Sequence, residues 1–157
     1  MINLPMSEMV EMIKEVVSTD GEFRLYPRGT SMLPLIVEGK DSVILARPSL
    51  LCVGDIVLYK RENGQYVLHR IVKMKGDNLF LCGDNQTDIE TGITTNDVIA
   101  KAIAVYKGDI RFEGNTANVS NYLFKLKLKR IFKPTLMRIK RVMKDPTLIW
   151  RKLRREK

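Results

Sequence analysis

Between residues 23 and 110 the chain is cut by turn dipeptides into short apolar runs, a spacing that leaves room for strands and none for long helices. Phe23-Arg24-Leu25-Tyr26 alternates, and residues 41–46 contain a β-branched run. Gly54-Asp55 leads into Ile56-Val57-Leu58-Tyr59. Asn63-Gly64 is a strong two-residue hairpin signal, because both residue types tolerate the positive φ that such a turn needs. Residues 65–74 then return as a strand. Gly76-Asp77-Asn78 makes another turn before Leu79-Phe80-Leu81-Cys82. Residues 98–106 form a further β-type run, which ends at Lys107-Gly108-Asp109. Runs this short and this evenly punctuated predict a mainly antiparallel β domain.

The flanks read differently. In residues 1–22, Asn3 can cap a helix with Pro5 near its first turn, and Met6, Met9, Val10, Ile13, Val16 and Val17 recur at helical spacing. That stripe predicts core packing, and Asp20-Gly21 ends the helix. The β domain is expected over 23–112, with a linker and helical tail over 113–157, for an α+β chain overall. In the tail, Phe124, Leu128, Ile131 and Phe132 form one helical stripe, and Leu136, Ile139, Val142 and Met143 another. Pro134 and Pro146 divide it into about three pieces, with Asp145-Pro146 as an N-cap and N1 pair for a last short helix.

Charge separates the same parts. The net +9 of the 157 residues is a body of −3 over residues 1–120 and a tail of +12 over 121–157. The partner implied by charge therefore belongs to the tail. A basic amphipathic tail suits an anionic membrane surface. It equally suits packing on the domain or an oligomer contact. Nucleic acid is the weakest of the three, because few aromatics interleave with the basic residues.

Cys52 and Cys82 sit within apolar runs and are expected as two buried free thiols, with a disulfide as the alternative. One histidine and two distant cysteines have no zinc-ligand spacing, so neither a metal nor any other cofactor is expected. No apolar run approaches the roughly 18–20 residues that span a bilayer. Glu8, Glu11 and Glu15 interrupt any signal-peptide core. The expected location is cytoplasmic, peripheral on the inner face of the membrane if the tail binds lipid.

His69 is the single histidine, set in Val67-Leu68-His69-Arg70-Ile71-Val72. Upstream stands Gly29-Thr30-Ser31-Met32-Leu33-Pro34. A serine hydroxyl needs a nearby base to become a nucleophile at neutral pH, and imidazole is suited to that task. Taken alone, a serine before Met-Leu-Pro is a turn residue, a lone strand histidine is a packing residue, and Gly83-Asp84-Asn85 is an ordinary turn.

Together and in this order the blocks resemble the signal peptidase and LexA-like family of serine peptidases. Residues 29–34 resemble its nucleophile box, and Gly54-Asp55-Ile56-Val57 the strand entry that follows. Residues 68–72 resemble the general-base box. Gly83-Asp84-Asn85 with Asp88 resembles the acidic block, and residues 96–102 the closing strand. The likeness covers about residues 23–107. Histidine, where bacterial type I signal peptidases and LexA-like proteins place lysine, is similar to the endoplasmic-reticulum and archaeal subgroup, which pairs serine and histidine with aspartate.

The resemblance implies a serine endopeptidase with Ser31 as nucleophile, His69 as general base and Asp88 as orienting acid. Asp84 is the alternative acid, or a structural neighbour that holds the site. The Ser31 backbone N–H, aided by Thr30, would serve the oxyanion, and Gly29 allows an unusual backbone angle beside the nucleophile. Met32, Leu33 and Pro34 would shape the turn and the substrate groove, and a peptide or protein substrate would lie extended along a strand edge. Neither the family's usual membrane anchor and large extra β region nor the Ala-Gly site and DNA-binding domain of the repressors is expected from these residues. The chain's compact form looks more like the small peptidases of this type associated with peptide-modification systems. A catalytically silent binding module and a nucleic-acid-binding regulator acting through the tail are the competing readings.

Overall fold

Val10, Ile13 and Val17 recur about one turn apart, so a helix in this segment presents them on one face. Helix α1 (Met6–Ser18) does so in the computed structural model, which describes residues 5–113, and all three side chains are buried. Pro5 occupies the N-cap position without a side-chain cap. Asn3, the expected cap, lies outside the described residues, as does the tail with its three expected helical pieces. The chain divides into two units, Met1–Tyr122 and Leu123–Lys157, and the description below concerns the first.

The strands follow the punctuation. They are β1 (Phe23–Leu25), β2 (Asp41–Ala46), β3 (Ile56–Lys60), β4 (Tyr66–Lys75), β5 (Asn78–Cys82), β6 (Glu90–Thr94), β7 (Val98–Lys107) and β8 (Ile110–Glu113). All pair antiparallel in one sheet of order β1-β2-β7-β3-β4-β5-β6, with β8 joined to β7. Strand β7 organises the sheet. One edge pairs with β2. The other pairs with β3 near its start and with β8 near its end.

Two apolar clusters form because β3 sends alternate side chains to opposite faces. Ile56 and Leu58 join Ile13, Val17, Leu45 and Ala102 in the first cluster. Val57 and Tyr59 join Ile71, Leu79, Leu81 and Ile93 in the second. A strand buried on both sides reads as a continuous apolar run, as Ile56-Val57-Leu58-Tyr59 does. Each fully buried side chain of this size contributes roughly 1.5–3 kcal/mol.

Strands β6 and β8 were not among the expected elements. Strand β6 carries a glycine and buries one of its five residues, Ile93, while β8 buries none, so neither has a clear apolar period. Both cysteines are free thiols, but only Cys82 is buried. Cys52 is exposed because it lies in the β2–β3 connection, where its N–H donates to Asp55 Oδ2 at 2.8 Å.

Candidate active site

Ser31 lies in the turn between β1 and β2. Leu33 N–H donates to Thr30 O at 3.3 Å and Ile36 N–H to Met32 O at 2.9 Å, which coils the segment over Met32, a member of the first cluster. Gly29 has φ 94°, a backbone angle that side-chain-bearing residues rarely take. Its N–H donates to Glu38 Oε2 at 2.9 Å.

The Gly83-Asp84-Asn85 block clamps this turn. Asn85 N–H donates to Ser31 O at 2.7 Å, and Asn85 Nδ2 to Thr30 O at 3.2 Å. A β-carbon on Gly83 would stand 2.7 Å from Ser31 O, so only glycine allows this approach. Behind the loop, Asp84 is buried and accepts Arg70 Nε at 2.9 Å and Nη2 at 2.8 Å. Arg70 also donates to Gly54 O at 2.7 Å. Asp84 is thus paired with Arg70 behind the Ser31 turn.

His69 is 1% exposed, in the middle of β4 opposite Val57. Its Nδ1 lies 3.1 Å from Glu90 Oε1 and 3.2 Å from Tyr59 Oη. Tyr59 Oη donates to Glu90 Oε2 at 2.7 Å, Arg61 Nε donates to the same oxygen at 2.9 Å, and Arg61 Nη2 bonds Glu90 Oε1. Pairing brings Glu90 here. Leu81 is opposite both Ile71 of β4 and Glu90 of β6, and Ile71 lies two positions beyond His69 on the same face.

The carboxylate at the ring is thus Glu90's, and Asp88 is not among the ring's partners. Asp88 is exposed in the β5–β6 connection, and its hydrogen bond is to its neighbour Thr87 at 3.4 Å. Asp88 precedes the first residue of β6, whereas Glu90 is fixed by strand pairing.

The electrostatics set the tautomer. Burial favours the neutral carboxyl of Glu90, but the Arg61 and Tyr59 hydrogen bonds outweigh it and hold Glu90 below the usual carboxylate range. Burial, then the bond to Glu90, pushes the Tyr59 hydroxyl far above its ordinary value, so it stays a donor. Burial lowers the His69 pKa, with Glu90 opposing. An ionised Glu90 only accepts, so the proton of neutral His69 sits on Nδ1. Nε2 takes no hydrogen bond among the described residues. No sealed polar side-chain atom among them lacks a partner, so Nε2 touches solvent.

Ser31 and His69 line one cavity of about 280 Å³, together with Arg28, Arg61, Met32 and Gln86. No hydrogen bond joins Ser31 Oγ to His69 among the described residues. Of the residues expected to shape the groove, Met32 lines the cavity and Leu33 and Pro34 do not. The coiled turn carries them past it, and Pro34 O accepts Lys107 Nζ at 3.2 Å instead. The Ser31 N–H donates to nothing among the described residues, and Thr30 contributes its carbonyl to the Asn85 clamp.

Residues 66–69 of β4 pair with β3 on one edge, while pairing with β5 begins at Arg70. Their second edge is unpaired by strands among the described residues. No described cluster of three His, Cys, Asp or Glu side chains is placed to hold a metal ion. No helix among the described residues is long and apolar enough to cross a membrane. No protein-family model and no curated protein matches the chain.

Proposed function

We propose that this chain is a serine endopeptidase with Ser31 as nucleophile, His69 as general base and Glu90 as the acid that orients the ring. The observation that carries this reading is the shared cavity of Ser31 and His69, with ionised Glu90 on the far ring nitrogen. Ser31 Oγ attacks the peptide carbonyl, and His69 Nε2 accepts its proton and returns it to the leaving amine. Glu90 keeps Nδ1 protonated and stabilises the imidazolium that forms. The unengaged Ser31 N–H is the oxyanion donor. An extended peptide pairs with the second edge of residues 66–69. This reading extends the resemblance to signal peptidases and LexA-like peptidases, with glutamate in place of the subgroup's aspartate.

The test is labelling by a fluorophosphonate, which reacts with activated serines. Wild-type protein should be labelled at Ser31, and His69→Ala should abolish labelling while the fold persists by circular dichroism. Full labelling of His69→Ala would remove His69 from the mechanism.

One observation favours a second reading. Ser31 Oγ and His69 are not hydrogen-bonded, as a silent module that keeps the fold for binding would have it. Catalytic contacts are often long before substrate binds. An unlabelled wild-type protein would select the silent module.

For residues 121–157 we propose contact with an anionic membrane surface, on charge and amphipathic spacing alone. Flotation with phosphatidylserine vesicles, compared with neutral vesicles and with a chain ending at residue 120, tests it.

A further inference from the structure

The cavity beside Ser31 has an apolar floor and a cationic rim. Met32, Ile36 and Leu68 line it and are buried members of the first core cluster. Arg28 and Arg61 line it as well, and among the described residues no aspartate or glutamate does. His69, also on the wall, is held neutral by burial. Fixed charge on this wall therefore comes from guanidinium groups.

The carboxylate bonded to Arg61 is itself held by a second donor. Glu90 accepts from Arg61 and Tyr59, and Glu38 accepts the Gly29 N–H. Arg61 still has donors to spare. Its Nε and Nη2 bond Glu90, and its Nη1 bonds Gln65 Oε1 at 2.9 Å. Each terminal nitrogen keeps a second N–H. A guanidinium with spare N–H groups beside an apolar floor is built for a carboxylate next to a hydrophobic side chain.

We propose that the site selects peptides that carry a carboxylate within a residue or two of the apolar side chain filling its floor. The inference rests on the peptidase reading above and adds the substrate class. The carboxylate comes either from an aspartate or glutamate inside the peptide or from a free carboxy terminus.

Competition against fluorophosphonate labelling of Ser31 in the full-length protein tests it. The competitors are nonapeptides with a central leucine, blocked at both ends, with Asp, Asn or Lys on either side of it. A fourth peptide has a free carboxylate directly after the leucine. The Asp peptide should slow labelling at about tenfold lower concentration than the Asn peptide. The Lys peptide should be weakest, and Arg28→Glu should narrow or reverse the order. Protection by the free-acid peptide above that of the Asp peptide would make the terminus the source. If Ser31 is labelled and all four peptides protect equally, or none does, the carboxylate preference is wrong and the peptidase reading stands. If wild-type Ser31 is not labelled, the peptidase reading fails and the preference falls with it.

Discussion

Glu90 Oε1 lies 3.1 Å from Nδ1 of His69, while its other oxygen accepts from Tyr59 and Arg61. One carboxylate thus fixes a buried imidazole and is itself fixed from two sides. Replacing it by glutamine would put an amide against Nδ1 and no longer favour the Nδ1–H tautomer. The loss should be on the order of 10²–10⁴-fold in reaction rate, as expected when an orienting acid becomes an amide. Asp88→Asn should change the rate little, because Asp88 bonds Thr87 and not the ring. Labelling rates of the two variants under matched conditions decide between the acids. A larger loss in Asp88→Asn would sink the Glu90 assignment.

Tyr59→Phe keeps the aromatic packing of the second cluster and deletes one donor to Glu90. The Arg61 bonds remain, so the carboxylate should stay near the ring but less tightly held. The loss should be about 10–100-fold in labelling rate, the size seen when partners that orient metal-ligating side chains are removed. Stability should fall by roughly 1 kcal/mol, the net contribution of one hydrogen bond. Rate and urea midpoint measured on the same preparation separate the two effects. A rate unchanged alongside a lowered midpoint would confine the Tyr59 hydroxyl to stability and remove it from the site.

The strands and the Ser31 and His69 blocks were legible because local signals carry them. Asn63-Gly64 announces a hairpin, and Ile56-Val57-Leu58-Tyr59 a strand buried on both faces. Glu90 was not legible. Its place depends on Leu81 pairing with both Ile71 and Glu90, with register irregularities in both ladders, and no local pattern in Glu90-Thr91-Gly92-Ile93-Thr94 reports that. Tyr59 and Arg61 were hidden for the same reason, being 31 and 29 positions from the carboxylate they hold. The Gly-Asp-Asn block was visible, but its work was not. Asn85 grips the Ser31 turn and Asp84 takes a buried arginine, contacts that arise only once the sheet is assembled.

Gly83→Ala tests the clamp. The added methyl would meet Ser31 O at 2.7 Å and the Gln86 side chain at 2.9 Å, and the backbone oxygen cannot yield without moving the Ser31 turn. Misplacement of a reacting group by about 1 Å can cost on the order of 10²-fold. Labelling should therefore fall far more than the unfolding free energy. Equal wild-type rates would show that the turn adjusts without consequence.

Arg70 and Asp84 form a fully buried pair. Arg70→Met leaves Asp84 buried without its guanidinium and Gly54 O without its donor, so stability should drop by about 3–5 kcal/mol. Adding Asp84→Leu removes the buried charge and should recover much of that loss. Denaturant titration of the single and double variants reads both values. A double variant no more stable than Arg70→Met would show that the pair itself, and not the stranded charge, carries the stability.

Burial lowers the His69 pKa below its ordinary 6.5, with Glu90 pulling the other way. The ring therefore stays a base at pH values where an exposed histidine is already protonated. The acid limb of the labelling rate against pH should lie below 6.5, and Glu90→Gln should move it lower still by removing the opposing charge. Stability follows the same sign. Below 6.5 the unfolded chain binds the His69 proton before the folded one does, so stability falls as pH drops through 6.5 and stops falling on this account once the folded ring is protonated. Glu90, lowered from its ordinary 4.5, contributes stability that is present above 4.5 and lost as pH falls through its folded value. Urea midpoints should thus decline from pH 7 toward pH 4, and His69→Gln should flatten the part near pH 6. An acid limb above 6.5 would mean that the Glu90 charge outweighs burial at the ring, reversing the balance inferred for this site.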